Sequence, residues 1–331
     1  MQYIKNNILI YLFYVMQVRD YNIKVGMNRK FKQKRVAVKH QDPQGNSSLH
    51  NAVLHSNIEM IKDIIARKSN LNPKNNLGDT PLGMALLLQH IEAAQLLIAA
   101  GADINFQDAD DYTPLHDAAG YGNIELTRAL VAAGANINAL DCDMQTPLYH
   151  AIVAKNIEVV AFLLQAGSQV LIKNDLDKTP LHEAIMTQMP EMVQLILSSG
   201  ADVFAQDIHG YTPLHNAAGI GNSEIAQMLL NLGAKINEVS KFKDTPLHIA
   251  SSSDRIAIIK TLLRAGAIID AQDKDGVTPL HIAVSVGHLH IIQGLLDGHA
   301  NLEIKDADGK KAVDLAKNKS IRSFLMNKHQ A

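Results

Sequence analysis

The sequence predicts an all-α repeat solenoid, and three observations predict it. The tetrapeptide Thr-Pro-Leu-His begins at Thr113, Thr179, Thr212, Thr245 and Thr278, with degraded copies from Ser47, Thr80, Thr146 and Lys311. Each of these nine anchors stands 33 residues from the next, without an insertion. A Gly-Ala pair keeps the same phase, 21 residues past the anchor, at Gly101, Gly134, Gly200, Gly233 and Gly266. Between the two marks an apolar pair recurs at Ile64-Ile65, Leu97-Ile98, Leu163-Leu164, Leu229-Leu230, Leu262-Leu263 and Leu295-Leu296. A 33-residue unit cannot bury such a stripe alone, so neighbours must stack into a continuous core.

The repeat that starts at Thr113 shows how each element arises. Thr113 is a good N-cap, and Pro114 suits the first helical position, where a missing N–H costs nothing. Leu115, Ala118 and Ala119 give a short helix with a slim inner face, broken at Gly120 and Gly122. A second helix follows from Ile124, with Leu126, Ala129 and Leu130 at helical spacing. Gly134 ends it with a left-handed residue. A polar extended finger then leads to the next anchor.

These marks resemble the ankyrin repeat family, over about 290 residues from roughly Gln41 to the end. The resemblance implies a stack of helix-turn-helix units with β-hairpin fingers, and a concave surface used for protein recognition. It also implies structural anchor roles for Thr113, His116, Thr179, His182, Thr212, His215, Thr245, His248, Thr278 and His281, with the histidines holding adjacent fingers. Lys68 and His299 replace the terminating glycine in the first and eighth repeats. The ninth has an altered anchor and a basic second helix, as a C-terminal cap would.

Composition bounds the rest. The chain has 331 residues, 47% of them apolar and 19% charged, so it can bury a real interior. One cysteine, Cys142, excludes a disulfide framework and suits a reducing, cytoplasmic setting. No apolar run reaches the roughly 18 residues of a membrane helix. Residues 1–40 form a basic arm with nine Lys/Arg against one acid, a formal +8, leaving −10 for the body of a chain whose total is −2. Residues 8–18 of this arm are apolar, and Met27 offers a shorter start that would omit residues 1–26. The basic stretch 24–39 is a weak candidate for a membrane or nucleic-acid tether, since no aromatic platform accompanies it.

No residue set argues for an enzyme, a cofactor or a small-molecule substrate. The anchor histidines lie a layer or more apart, poor geometry for sharing a metal, and His288 and His290 are spaced to face different ways on a helix. No metal site is expected. Asp273–Gly276 and Asp306–Gly309 lack the closing Glu of a calcium loop, and Gly120-Tyr121-Gly122 lacks the third glycine and preceding strand of a phosphate loop. Cys142 sits at a finger tip without a base.

If the anchors and stripes are frame, recognition falls to exposed positions where repeats differ. In repeats three to five these carry Asp108, Asp110, Asp111, Tyr112, Asp117, Tyr121, Asp141, Asp143, His150, Asp175, Asp177 and Glu183. Further along come His209, Tyr211 and Phe242, where lysines change the sign. Tyrosines among carboxylates suit a protein partner with a basic surface. The expectation is a monomeric, non-enzymatic scaffold or adaptor. The alternatives are a secreted effector of an intracellular microbe acting on a host protein in host cytoplasm, as similar ankyrin chains do, and a module tethered through the basic arm.

Overall fold

A computed structural model describes residues 44–328. The basic arm, with its apolar 8–18 and basic 24–39 stretches, lies outside the described residues. Two bodies divide the described chain, residues 44–175 and 176–328.

The first body holds four pairs of short antiparallel helices. These are α1 (Ser48–Leu54) with α2 (Ile58–Ala66), α3 (Pro81–Leu87) with α4 (Ile91–Ala99), α5 (Pro114–Gly120) with α6 (Ile124–Ala132), and α7 (Pro147–Val153) with α8 (Ile157–Gln165). Their core is Leu82, Leu97, Leu115, Leu126, Leu130, Leu148 and Leu163, all essentially shielded from water. Burying one such leucine contributes about 1.5–3 kcal/mol.

The second body repeats the scheme. It pairs α9 (Pro180–Met186) with α10 (Pro190–Ser198), α11 (Pro213–Ile220) with α12 (Ser223–Asn231), α13 (Pro246–Ala250) with α14 (Ile256–Arg264), and α15 (Pro279–Val286) with α16 (Leu289–Asp297). A 3-10 turn (Ala312–Leu315) and α17 (Lys319–Lys328) close the described chain. Leu181, Ile196, Leu214, Leu229, Leu262, Leu280 and Leu295 form its core. No helix among the described residues is long and apolar enough to cross a membrane.

The helix ends obey the sequence reading. Thr113 is extended and Pro114 opens α5. Past α6, Gly134 takes φ +91°, its N–H donates to Val131 O, and Ala135 N–H donates to Leu130 O. Two trailing carbonyls are thereby satisfied. Lys68 and His299, in the same slot, adopt φ of +53° and +67° without the freedom of glycine.

The fingers depart from the hairpins that the resemblance implies. Among the described residues the only strand-type pairing is one isolated antiparallel bridge, Lys305 with Lys311. The reason is a side chain. At one phase of the repeat, Asn75, Asp108, Asp141, Asp207, Asp273 and Asp306 each accept two backbone N–H groups of their own finger through Oδ1, two and four residues on. Donors that a hairpin would offer to a partner strand are consumed by a turn. One backbone bond then joins a finger to the next in most repeats, as from Cys142 N–H to Asp110 O and from Lys241 N–H to His209 O.

Candidate functional site

The anchors come first, because they fix every finger. In repeat three, Thr113 N–H donates to His116 Nδ1 at 3.0 Å, the Thr113 hydroxyl lies 2.9 Å from the same nitrogen, and Nε2 donates to Gln145 O of the next finger at 3.0 Å. The same clasp recurs at His50, His182, His215, His248 and His281, always to a carbonyl 29 residues on. A carbonyl only accepts, so Nε2 carries the hydrogen and Nδ1 offers its lone pair. Burial holds His116, His215 and His248 down at about 4, and pushes His50 and His281 down as well.

Repeat four breaks this rule. Tyr149 occupies the anchor slot and lies 3.5 Å, through its hydroxyl, from Asn174 Nδ2. The histidine stands one residue later, at His150, where Nε2 meets Asp141 Oδ2 at 2.8 Å. His150 and His116 pack edge to face with centroids 5.4 Å apart, and the Tyr112 ring covers both at 4.9 and 5.5 Å. His116, Asp141 and His150 thus place three potential ligand atoms within 4.8 Å of one another. The donor set does not fit a metal. His116 Nε2 is committed as a donor to Gln145 O, and a ring nitrogen that carries hydrogen has no lone pair for an ion.

Above this cluster lies a row of carboxylates. Asp110, Asp111, Asp143 and Asp175 are exposed at finger tips of the first body. Cys142 N–H donates to Asp110 O, and Asp175 N–H donates to Asp143 O, so the tips are hydrogen-bonded in series. Partial burial, then the charges of Asp141 and Asp175, raises the Asp143 carboxyl above the ordinary range. Cys142 is exposed, and partial burial with the surrounding carboxylates pushes its thiol up, away from the thiolate that reactivity needs.

Comparison with known proteins gives these units their name. The model of the family described as "Ankyrin repeats (3 copies)" matches residues 23–108, 100–174, 166–240, 221–308 and 247–329. The chain is an ankyrin-repeat protein. It is similar to the crystal structure of the human ASB11 ankyrin repeat domain, at 31% identity and a TM-score of 0.61, over 65% of this chain and 97% of that one. It is also similar to the ankyrin repeat domain of Bcl-3, described as a unique member of the IkappaB protein family. That match has 28% identity and a TM-score of 0.57, over 66% of this chain and 99% of the other. No curated protein sequence matches. Ankyrin repeats are generally protein-interaction modules, typically without catalysis.

Within the ankyrin frame, the expected contact residues sort by exposure. Asp110, Asp111, Asp143 and Asp175 lie at the surface of the first body, as does Tyr121, which is 40% exposed. Asp117 is half-buried there, and Asp108 is half-buried while its carboxylate builds the turn. Two residues expected to face a partner do not. Asp141 is 5% and His150 4% exposed, because Asp141 Oδ1 binds its own finger while Oδ2 takes the displaced histidine. Tyr112 is half-buried over the two imidazoles rather than held outward.

In the second body, Asp177 is exposed with φ +57°, and Glu183 is half-buried. Tyr211 is half-buried, its hydroxyl donating to Asp244 Oδ2 at 3.3 Å, and burial beside that carboxylate pushes the phenol up. Phe242 lies under the Lys274 ammonium at 4.5 Å, with the His209 ring 6.2 Å away.

Sequence reasoning missed one exposed feature that the ankyrin phase makes legible. Asn72, Asn105, Asn138, Asn237 and Asp270 occupy one slot, and each accepts a backbone N–H of the following repeat through Oδ1. Leu171 and Phe204 take the same slot without that capacity, and expose 58% and 50% of their surface.

Proposed function

We propose that this ankyrin-repeat chain is a non-enzymatic adaptor that captures a protein with a basic surface on the finger tips of its first body. One observation carries the reading: Asp110, Asp143 and Asp175 are exposed carboxylates on tips joined in series by backbone hydrogen bonds. Tips prearranged in this way lose little entropy on contact. A row of like charges raises the local potential and favours cationic side chains. Tyr121, on the turn after α5, adds contact area at low entropic cost.

Reversing Asp110, Asp143 and Asp175 to lysine is expected to abolish capture of the partner that the parent retains from its native cell. Association with that purified partner should slow by at least about tenfold at low salt, while the melting temperature stays within about 2 °C. The three side chains are exposed, and their backbone bonds survive substitution. Undiminished capture by the triple variant would remove the tips from the interface. Tyr112 is left in place because its ring covers His116 and His150.

A further inference from the structure

Three departures from the repeat coincide in the second body, between repeats seven and eight. The turn between paired helices uses one positive-φ slot, filled by Ser56, Gln89, Gly122, Lys155, Gln188, Gly221 and Gly287. Asp254 holds that slot in repeat seven and is not left-handed. There Ser251, Ser252 and Ser253 turn their hydroxyls back onto Leu247 O, Ile249 O and Ala250 O, and α13 is only five residues long. The first turn of the second helix carries Glu59, Glu92, Glu125, Glu158, Glu191 and Glu224 in six repeats, favourable at a helix N-terminus, but His290 in repeat eight. In three repeats the residue that caps this helix reaches a carbonyl of the preceding repeat, His90 to Val53 O, Asn156 to Gly122 O and Arg255 to Ile220 O. His288 instead turns to a carboxylate.

The two imidazoles meet at one atom. His288 Nδ1 and His290 Nε2 each lie 3.1 Å from Asp254 Oδ1. The expectation that these histidines face different ways fails because His288 is the cap of α16 rather than part of it. Four ligands about 2.0–2.1 Å from a zinc-class ion stand roughly 3.3 Å apart, close to both nitrogen–oxygen separations here. All three side chains are partly or well exposed, so the rings have room to turn. Binding requires the two nitrogens, which do not lie within 4.8 Å of each other, to close about Oδ1, and water can fill the remaining positions.

We propose that Asp254, His288 and His290 bind a divalent first-row transition cation of the zinc class. Two neutral imidazoles and one carboxylate suit that class, whereas calcium and magnesium prefer all-oxygen sites. On binding, each ring keeps its single hydrogen on the nitrogen that is not a ligand. The ion ties the turn of repeat seven to the start of α16, joining two neighbours.

The test is calorimetric titration of Zn2+ into the full chain at pH 7.5, carrying Cys142→Ser to remove the thiol as a competing ligand. One saturable site per chain is expected, with a higher melting temperature in Zn2+ and none of this in Ca2+. His288→Asn with His290→Ala installs the residues that repeats six and seven carry in these slots, Asn222 and Ala257, and so respects the frame. This variant, and separately Asp254→Asn, should lose the site or weaken it at least about tenfold. A parent with no saturable site, or a double variant that binds as the parent does, would overturn the proposal.

Discussion

Replacing His215 with alanine is expected to lower the unfolding free energy of the second body by about 4 kcal/mol. His215 is 1% exposed, and its ring joins three groups. Thr212 N–H donates to Nδ1 at 3.1 Å, the Thr212 hydroxyl lies 2.8 Å from Nδ1, and Nε2 donates to Asp244 O at 3.0 Å. Alanine leaves the Thr212 amide without this partner, at about 1–3 kcal/mol, and takes one of two bonds from the Asp244 carbonyl, which keeps Ser240 N–H, at about 0.5–1.5 kcal/mol. The volume left by the ring adds a cavity cost. Leucine in its place fills space but satisfies neither group, so it should recover only part of the loss. Urea unfolding followed by circular dichroism reads the change as a lower midpoint. A shift worth less than about 1 kcal/mol would mean that the clasp contributes little, whereas Lys260→Ala on the exposed side of α14 should stay within about 0.5 kcal/mol.

Acidification is expected to unfold the protein between pH 6.5 and 4, well before its carboxylates are protonated in bulk. His116, His215 and His248 fall from an ordinary 6.5 to about 4 in the folded state, chiefly because burial disfavours the charged ring. A base with a depressed folded value binds more protons when unfolded, so stability is complete above pH 6.5. It drains away as pH falls toward 4. Each ring then costs about 3 kcal/mol at 1.36 kcal/mol per pH unit. Asp244 works in the opposite sense. Burial raises it to about 6, so the folded state takes up its proton first, offsetting about one of the three histidines between pH 6 and 3.8. His50 and His281, also depressed, add to the loss. Thermal unfolding at half-unit pH steps should show the melting temperature flat from pH 8 to 7 and falling steeply below 6. A flat profile down to pH 4.5 would contradict buried neutral rings.

Much of the frame was legible because a strict period makes each residue type test itself repeatedly. Thr-Pro opens a first helix from Pro81 to Pro279 in the described chain, and left-handed glycines end second helices at Gly101, Gly134 and Gly266. The structural role of the anchor histidines came from the family resemblance, while their 33-residue spacing set them a layer or more apart and so argued against a shared metal. What escaped was chemistry hidden by identity of residue type. Asp108 and Asp110 differ only by phase, yet the first builds its turn and the second is exposed at the tip. His150 looked outward-facing because the anchor tyrosine displaces the histidine by one residue, into reach of Asp141. Hairpins were expected where side-chain carboxylates take the donors that a strand would have used. The meeting of His288 and His290 at Asp254 spans two repeats, beside a helix of only five residues followed by three serines, a tertiary event with no local periodicity to announce it.

The claim beneath all of this is that each anchor imidazole is a neutral, fixed-tautomer clasp between one repeat and the next. Nitrogen-15 NMR of the histidine side chains, recorded from pH 7.5 to 5.5, tests it most directly. The account predicts that the resonances of His116, His215 and His248 show hydrogen on Nε2 and a bare Nδ1, and do not titrate over this range. Rings that carry hydrogen on Nδ1, or that titrate with a midpoint near 6.5 while the protein stays folded, would contradict it.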